Sequence, residues 1–207
     1  RKYLKSLGFK QFPKKSSKLT TIRHVIGAVR TAKRMNQDKL LALPECTDPV
    51  IAAAATAYTA VCTSLFTLDP ELYVIASCMA FQWSIKYGVT KDSPGAWNAI
   101  ALVIAGCLGD TVTAMTLGDS ALELCNCKGY NEALPFALTC VYGCINPWSK
   151  PMQQFADPMR YGFDLAMRLG MIDDAAILVG NIAIMVFLTW EKTLPELQSE
   201  LTMLRGT

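Results

Sequence analysis

Four turn signals divide most of this chain at nearly even intervals. Leu68-Asp69-Pro70, Leu108-Gly109-Asp110, Trp148-Ser149-Lys150 and Trp190-Glu191-Lys192 follow one another at spacings of 40, 40 and 42 residues. Each lies between two apolar stretches of helix length, so the pattern calls for repeated helical hairpins that bury their apolar faces against their neighbours. The expected fold is all-α. Four hairpins should begin near Asp48, Ser93, Asn131 and Ile172 and form one continuous right-handed α-solenoid over residues 47–207, without a β-sheet.

Local chemistry sharpens these boundaries. Leu43-Pro44 and Asp48-Pro49 stop one element and start another, since Asp caps a helix and Pro fits its first turn. The helix that follows, from Ile51 to Phe66, is almost free of charge. Asp69-Pro70 opens the next, which stops at Tyr87-Gly88, and Asp92-Ser93-Pro94-Gly95 restarts the pattern. Residues 131–147 and 150–169 are expected to pair, then Ile172 to Leu188 with Pro195 to Leu204. Gly118, Gly143, Gly162 and Gly180 each cost about 1 kcal/mol against alanine within a helix, and so mark expected points of close helix approach. Trp83, Trp97, Trp148 and Trp190 are expected to anchor the core between hairpins.

The second hairpin has a contact face of small residues. Trp97-x2-Ile100-Ala101-x2-Ile104 resembles the Trp-x2-Leu-Gly-x2-Tyr pattern of tetratricopeptide units; Gly109 supplies the turn glycine, and Ala114 and Ala121 the packing alanines. With Gly118, Ala114 and Ala121 should let the two helices of that hairpin approach closely. The period of about 40 exceeds the 34 residues of a regular tetratricopeptide repeat. Units of this kind bind other proteins, and the resemblance implies a scaffold or regulatory role.

Charge is split along the chain. Residues 1–40 carry twelve Lys or Arg and one acid, Asp38, whereas residues 41–207 carry eight bases and sixteen acids. Residues 1–46 therefore read as a basic lead with one amphipathic helix. Lys2 to Leu7 resembles a helix end capped at Gly8. Leu19, Ile22, Val25, Ile26 and Val29 then form a stripe at helical spacing, with the cap expected at Thr20 or Thr21 and Arg23, Arg30 and Arg34 on one flank. These arginines are the candidate interaction residues, and an acidic surface of a protein partner or of a neighbouring domain of the same chain is the favoured target. An arm for nucleic acid or anionic lipid is the disfavoured alternative, because no aromatics interleave with the bases and no glycine-clamp or finger motif is present. His24, the only histidine, lies roughly opposite the stripe and is expected to be exposed.

A wider resemblance covers nearly the whole chain. It runs through Leu7-Gly8-Phe9, Phe12-Pro13-Lys14, Leu43-Pro44-x3-Asp48-Pro49, Ser84-x-Lys86-Tyr87-Gly88, Gly106-x2-Gly109-Asp110 and Gly170-x3-Asp174-Ala175. In that order these motifs resemble the helical-repeat region of large multidomain signalling kinases, in which the repeats follow a P-loop ATPase of the AAA type and precede sensor and histidine-kinase or cyclase domains. Asn146-Pro147-Trp148 departs from the pattern, standing where such repeats keep a plain helix end. The resemblance implies a non-catalytic segment of a larger ATP-dependent protein; a stand-alone tetratricopeptide-like adaptor is the alternative. The segment itself carries no Gly-x4-Gly-Lys-Ser/Thr phosphate loop, no Gly-x-Gly-x2-Gly loop and no kinase catalytic loop, so no catalytic residue and no cofactor are expected in it.

The remaining candidates are weighed against plainer roles. Cys125-x-Cys127 with Cys140-x3-Cys144 could gather four thiolates, but one residue between paired cysteines is short for zinc and no metal site is expected. Eight irregularly placed cysteines fit a reducing compartment, hence the cytosol. Asp173-Asp174 reads as helix N-terminal charge rather than acid–base machinery. A helical membrane protein is the other class of reading: Ala175 to Trp190 has sixteen residues without formal charge but includes Asn181, and a span needs about 20. Buried solenoid helices are the preferred account of these apolar runs. Oligomeric state is left open by the sequence.

Overall fold

The structure, a computed structural model, describes residues 17–189 and 192–205. The expected helix end at Lys2 to Leu7, its cap at Gly8, and the anchor Trp190 lie outside the described residues. The elements are α1 (Lys18–Ala32), α2 (Gln37–Leu41), α3 (Pro49–Leu68), α4 (Pro70–Tyr87), α5 (Ser93–Leu108), α6 (Thr111–Lys128), α7 (Leu134–Leu138), α8 (Ala156–Leu169), α9 (Ile172–Thr189) and α10 (Leu194–Arg205). Among the described residues there is no strand, and the chain is all-α.

Five helix starts, those of α1, α2, α3, α4 and α6, are capped by a side chain that accepts from a free amide. Asp48 accepts from the amide of Val50 at 2.8 Å, Asp69 from that of Leu72 at 3.0 Å, and Asp110 from that of Thr113 at 3.1 Å. Gly109, Gly129 and Gly170 end α5, α6 and α8 in the left-handed conformation. The cap of α1 is Ser17 rather than Thr20 or Thr21: its hydroxyl accepts from the amide of Thr20 at 3.3 Å, which puts Thr20 inside the first turn.

Consecutive helices pack on one another from α3 to α6, α8 packs on α9, and α9 on α10. The basic lead joins the same body, with α1 lying on α4 and α2 on α6, so that Ala28, Ala32 and Leu40 belong to the core made by α3 to α6. A second core is formed by Phe155, Met159, Phe163, Leu178 and Ile182, among others. Tyr142 packs against both.

The third pair is less regular than expected. In place of a helix over 131–147, α7 continues into a π-helical stretch, Thr139–Ile145, and a 3-10 turn, Asn146–Trp148. A second 3-10 turn, Met152–Gln154, precedes α8. Trp148 is 71% exposed and anchors nothing, because it falls on this break rather than on a helix face. Trp97 does anchor: it is fully buried, and its indole N–H donates to Ser84 Oγ at 2.8 Å, tying α5 to α4.

Candidate interaction surfaces

The small-residue face is a packing device between three elements. Ala114, Gly118 and Ala121 are buried on α6. A Cβ on Gly118 would lie 3.0 Å from Val141 Cγ2 and 3.4 Å from Ile145 Cδ1, so this glycine admits the π-helical stretch of the next pair more than it does α5, its hairpin partner. Gly143 and Gly162 likewise meet Asn181 and Leu138 at 3.0 Å, whereas Gly180 faces open space and marks no helix contact.

The apolar helices fall into two groups, and buried solenoid packing accounts for only one of them. Eleven of the sixteen residues of α5 are buried. By contrast, only 18% of the apolar window of α3 and 28% of that of α9 are covered. Both are long and apolar enough to cross a membrane by length and composition. On α9 the exposed apolar side chains include Ile177, Ile184 and Leu188; on α3 they include Val61, Phe66 and Leu68. Exposed apolar side chains concentrated on two helices in this way are a common feature of interaction surfaces.

The stripe on α1 also divides. Val25 and Val29 turn inward beside Ala28 and Ala32. Leu19, Ile22 and Ile26 are 82%, 53% and 44% exposed. At 100° per residue, Arg23 and Arg30 fall on one line beside this outer ridge, and Arg34 follows just past the helix end. All three arginines are exposed, and no acid pairs with them among the described residues. Lys33 holds the end of α1 to α6 through Asp110 at 3.0 Å, and this contact, with the capping amide of Thr113, keeps the Asp110 carboxyl below its ordinary range. His24 is half-buried instead of exposed, since it sits near the edge of the α1–α4 contact; burial and then Arg23 lower its pKa.

A groove of about 780 Å³ opens where the start of α5, the α6–α7 turn and the α8–α9 turn converge. Tyr130, Phe136, Met171 and Ile177 give it apolar walls. Asp92, Glu132, Asp173 and Asp174 give it acids, against one base, Lys91, which pairs with Glu132 at 3.5 Å. Asp92 accepts from the Thr56 hydroxyl. Neither Asp173 nor Asp174 has a cation partner among the described residues. Burial and then the neighbouring Asp173 raise the Asp174 pKa. Sequence reasoning found Asp173-Asp174 only as capping charge, because the groove is assembled from segments up to 118 residues apart, Thr59 and Ile177.

The thiols form no site among the described residues. Cys125 and Cys140 are buried and burial raises both pKa values, that of Cys125 to about 12, while Cys127 and Cys144 are exposed. Among the described residues no three His, Cys, Asp or Glu side chains gather as metal ligands would.

No protein-family model, no curated protein and no solved structure matches this chain.

Proposed function

We propose that this chain is a non-catalytic regulatory or protein-interaction segment, a tetratricopeptide-like stack of helical pairs within a larger cytosolic ATP-dependent signalling protein. One observation carries the interaction reading: α3 and α9 are strongly apolar yet mostly exposed. The basic ridge on α1, whose arginines have no acid partner among the described residues, adds to it. The order of helix contacts agrees with stacking, since each pair lies against the next. The signalling context rests on the motif resemblance alone.

Two experiments test this reading. The purified chain should turn over no nucleotide and phosphorylate no protein; turnover that tracks the protein through purification overturns the non-enzyme assignment. The coding sequence upstream of Arg1 should contain an in-frame Gly-x4-Gly-Lys-Ser/Thr motif. An initiator codon directly upstream with no such motif favours the stand-alone adaptor.

The apolar surfaces of α3 and α9 also favour a second reading, insertion into a membrane. Expression without detergent separates the two: recovery only in the detergent-extracted membrane fraction supports insertion.

A further inference from the structure

We infer that the chain self-associates head to tail, the basic ridge of α1 in one copy docking into the acidic groove between α5, α7 and α9 of a second copy. The inference rests on the reading of the chain as an interaction module and names the partner.

The two surfaces complement each other in kind. Helix-in-groove recognition needs apolar anchors at i, i+3 or i+4, and i+7 on one face. Leu19, Ile22 and Ile26 stand at i, i+3 and i+7 and are the uncovered apolar side chains of α1. The groove offers apolar walls of Tyr130, Phe136, Met171 and Ile177 to receive them. Charge matches as well: Arg23 and Arg30 line the ridge, and Asp173 and Asp174 lie at the groove, all four without ion-pair partners among the described residues. Opposed patches of this kind fix orientation and reject like-charged competitors.

The ridge cannot fill its own chain's groove in the same fold. Val25, Ala28, Val29 and Ala32 hold the inner face of α1 on α4, Lys33 pins its end to Asp110, and the ridge points to solvent. A second copy is the source of a matching helix that the chain itself guarantees. Because ridge and groove are different surfaces, the contact is heterologous, so it closes into a ring or extends as a chain of copies.

The test is sedimentation of the 207-residue protein over a range of concentrations at about 0.05 M and about 0.5 M salt, across which screening lengths shorten severalfold. Average mass should rise with concentration, and higher salt should weaken association by about tenfold or more. Two charge reversals at exposed positions follow, Arg23→Glu with Arg30→Glu on the ridge, and Glu132→Lys with Asp173→Lys in the groove. Each should weaken self-association by about a hundredfold or more, with helical circular dichroism unchanged. An equimolar mixture of the two variants should associate again, because the ridge of each then meets a groove of opposite charge on the other. A chain carrying both reversals should associate again, since its ridge and groove are once more opposite in sign. A monomer at all concentrations, or association that neither reversal moves, overturns the inference. So does binding to anionic vesicles that the ridge reversal abolishes and the groove reversal leaves intact, without self-association, since the ridge would then be a lipid contact. None of these outcomes bears on nucleotide turnover or on the upstream coding sequence, so failure here is distinct from failure of the functional reading.

Discussion

Helices α5 and α9 are close in composition and opposite in environment. Both are built mainly from Ala, Ile, Leu and Val with one asparagine. α5 is enclosed by α4, α6 and the π-helical stretch, while α9 is packed mainly by α8, with smaller contacts to α10 and the π-helical stretch, and leaves a side uncovered. Their asparagines show the consequence. Asn98 on α5 is fully buried, and neither its Oδ1 nor its Nδ2 has a hydrogen-bond partner among the described residues. Asn181 on α9 is half-buried and donates to the carbonyl of Ile177 at 3.0 Å. Apolar content therefore says that a helix needs cover; it does not say whether this chain or another surface supplies it.

Substitutions at the two helices give the comparison numbers. The largest expected effect is at Trp97, where truncation to Ala removes a fully buried ring and its bond to Ser84. Denaturant unfolding should show a loss of about 3–5 kcal/mol; a loss under about 1 kcal/mol would mean that α5 is not the central helix described above. Asn98→Leu should act in the opposite direction. It replaces two unpartnered polar atoms with a side chain of similar size, and a gain of about 1 kcal/mol or more is expected from the same measurement. A loss instead would indicate that the amide is satisfied in solution.

On α9, Ile184→Ser and Leu188→Ser fall on the uncovered side. Each should change the stability of the isolated chain by no more than about 0.5 kcal/mol. A drop of several kcal/mol would show that this side is packed, and the contrast with α5 would fail. The smallest effect is the pH response of His24. Its folded pKa is lowered by burial and then by Arg23, so the unfolded chain takes up the proton first. Its contribution is full above the ordinary histidine pKa of about 6.5 and is lost as pH falls from there through the depressed folded value. His24→Gln should flatten thermal stability between about pH 7 and pH 5 relative to the wild-type protein, with the carboxylates common to both cancelling in the difference.

Much of the helix order was legible because short-range chemistry sets it. Asp48, Asp69 and Asp110 cap helices through their own carboxylates, and Gly109 and Gly170 end them in a conformation glycine adopts freely. The turns at residues 68–70, 108–110 and 148–150 fall where the spacing puts them, and the fourth includes residues 190 and 191, outside the described residues. The third pair resisted because widening a helix by one residue per turn, as over Thr139–Ile145, changes neither composition nor apolar content. The outward turn of Leu19, Ile22 and Ile26 was hidden for another reason. Five apolar residues at helical spacing define a stripe about 120° wide, but only the position of α4 decides which edge is covered. The groove was least legible of all, since its acids and its apolar walls meet only in three dimensions.

One small feature governs how the uncovered helix α3 can respond to a partner. The amide of Cys46 donates to the carbonyl of Val89 at 2.9 Å, and the amide of Val89 to the carbonyl of Pro44 at 2.8 Å. Gly88 makes this clasp possible: its φ is +97°, and a Cβ there would lie 2.5 Å from the Pro44 oxygen. The clasp fixes the entry to α3 against the exit of α4, while Asp69 fixes the turn at the opposite end. α3 is thus a beam pinned at both ends rather than a door on one hinge. A partner seated on its apolar side can bow or slide it against α4, but cannot swing it away without first breaking the clasp. Load applied to α3 therefore passes into the α4–α5 junction, where Ser84 and Trp97 lie.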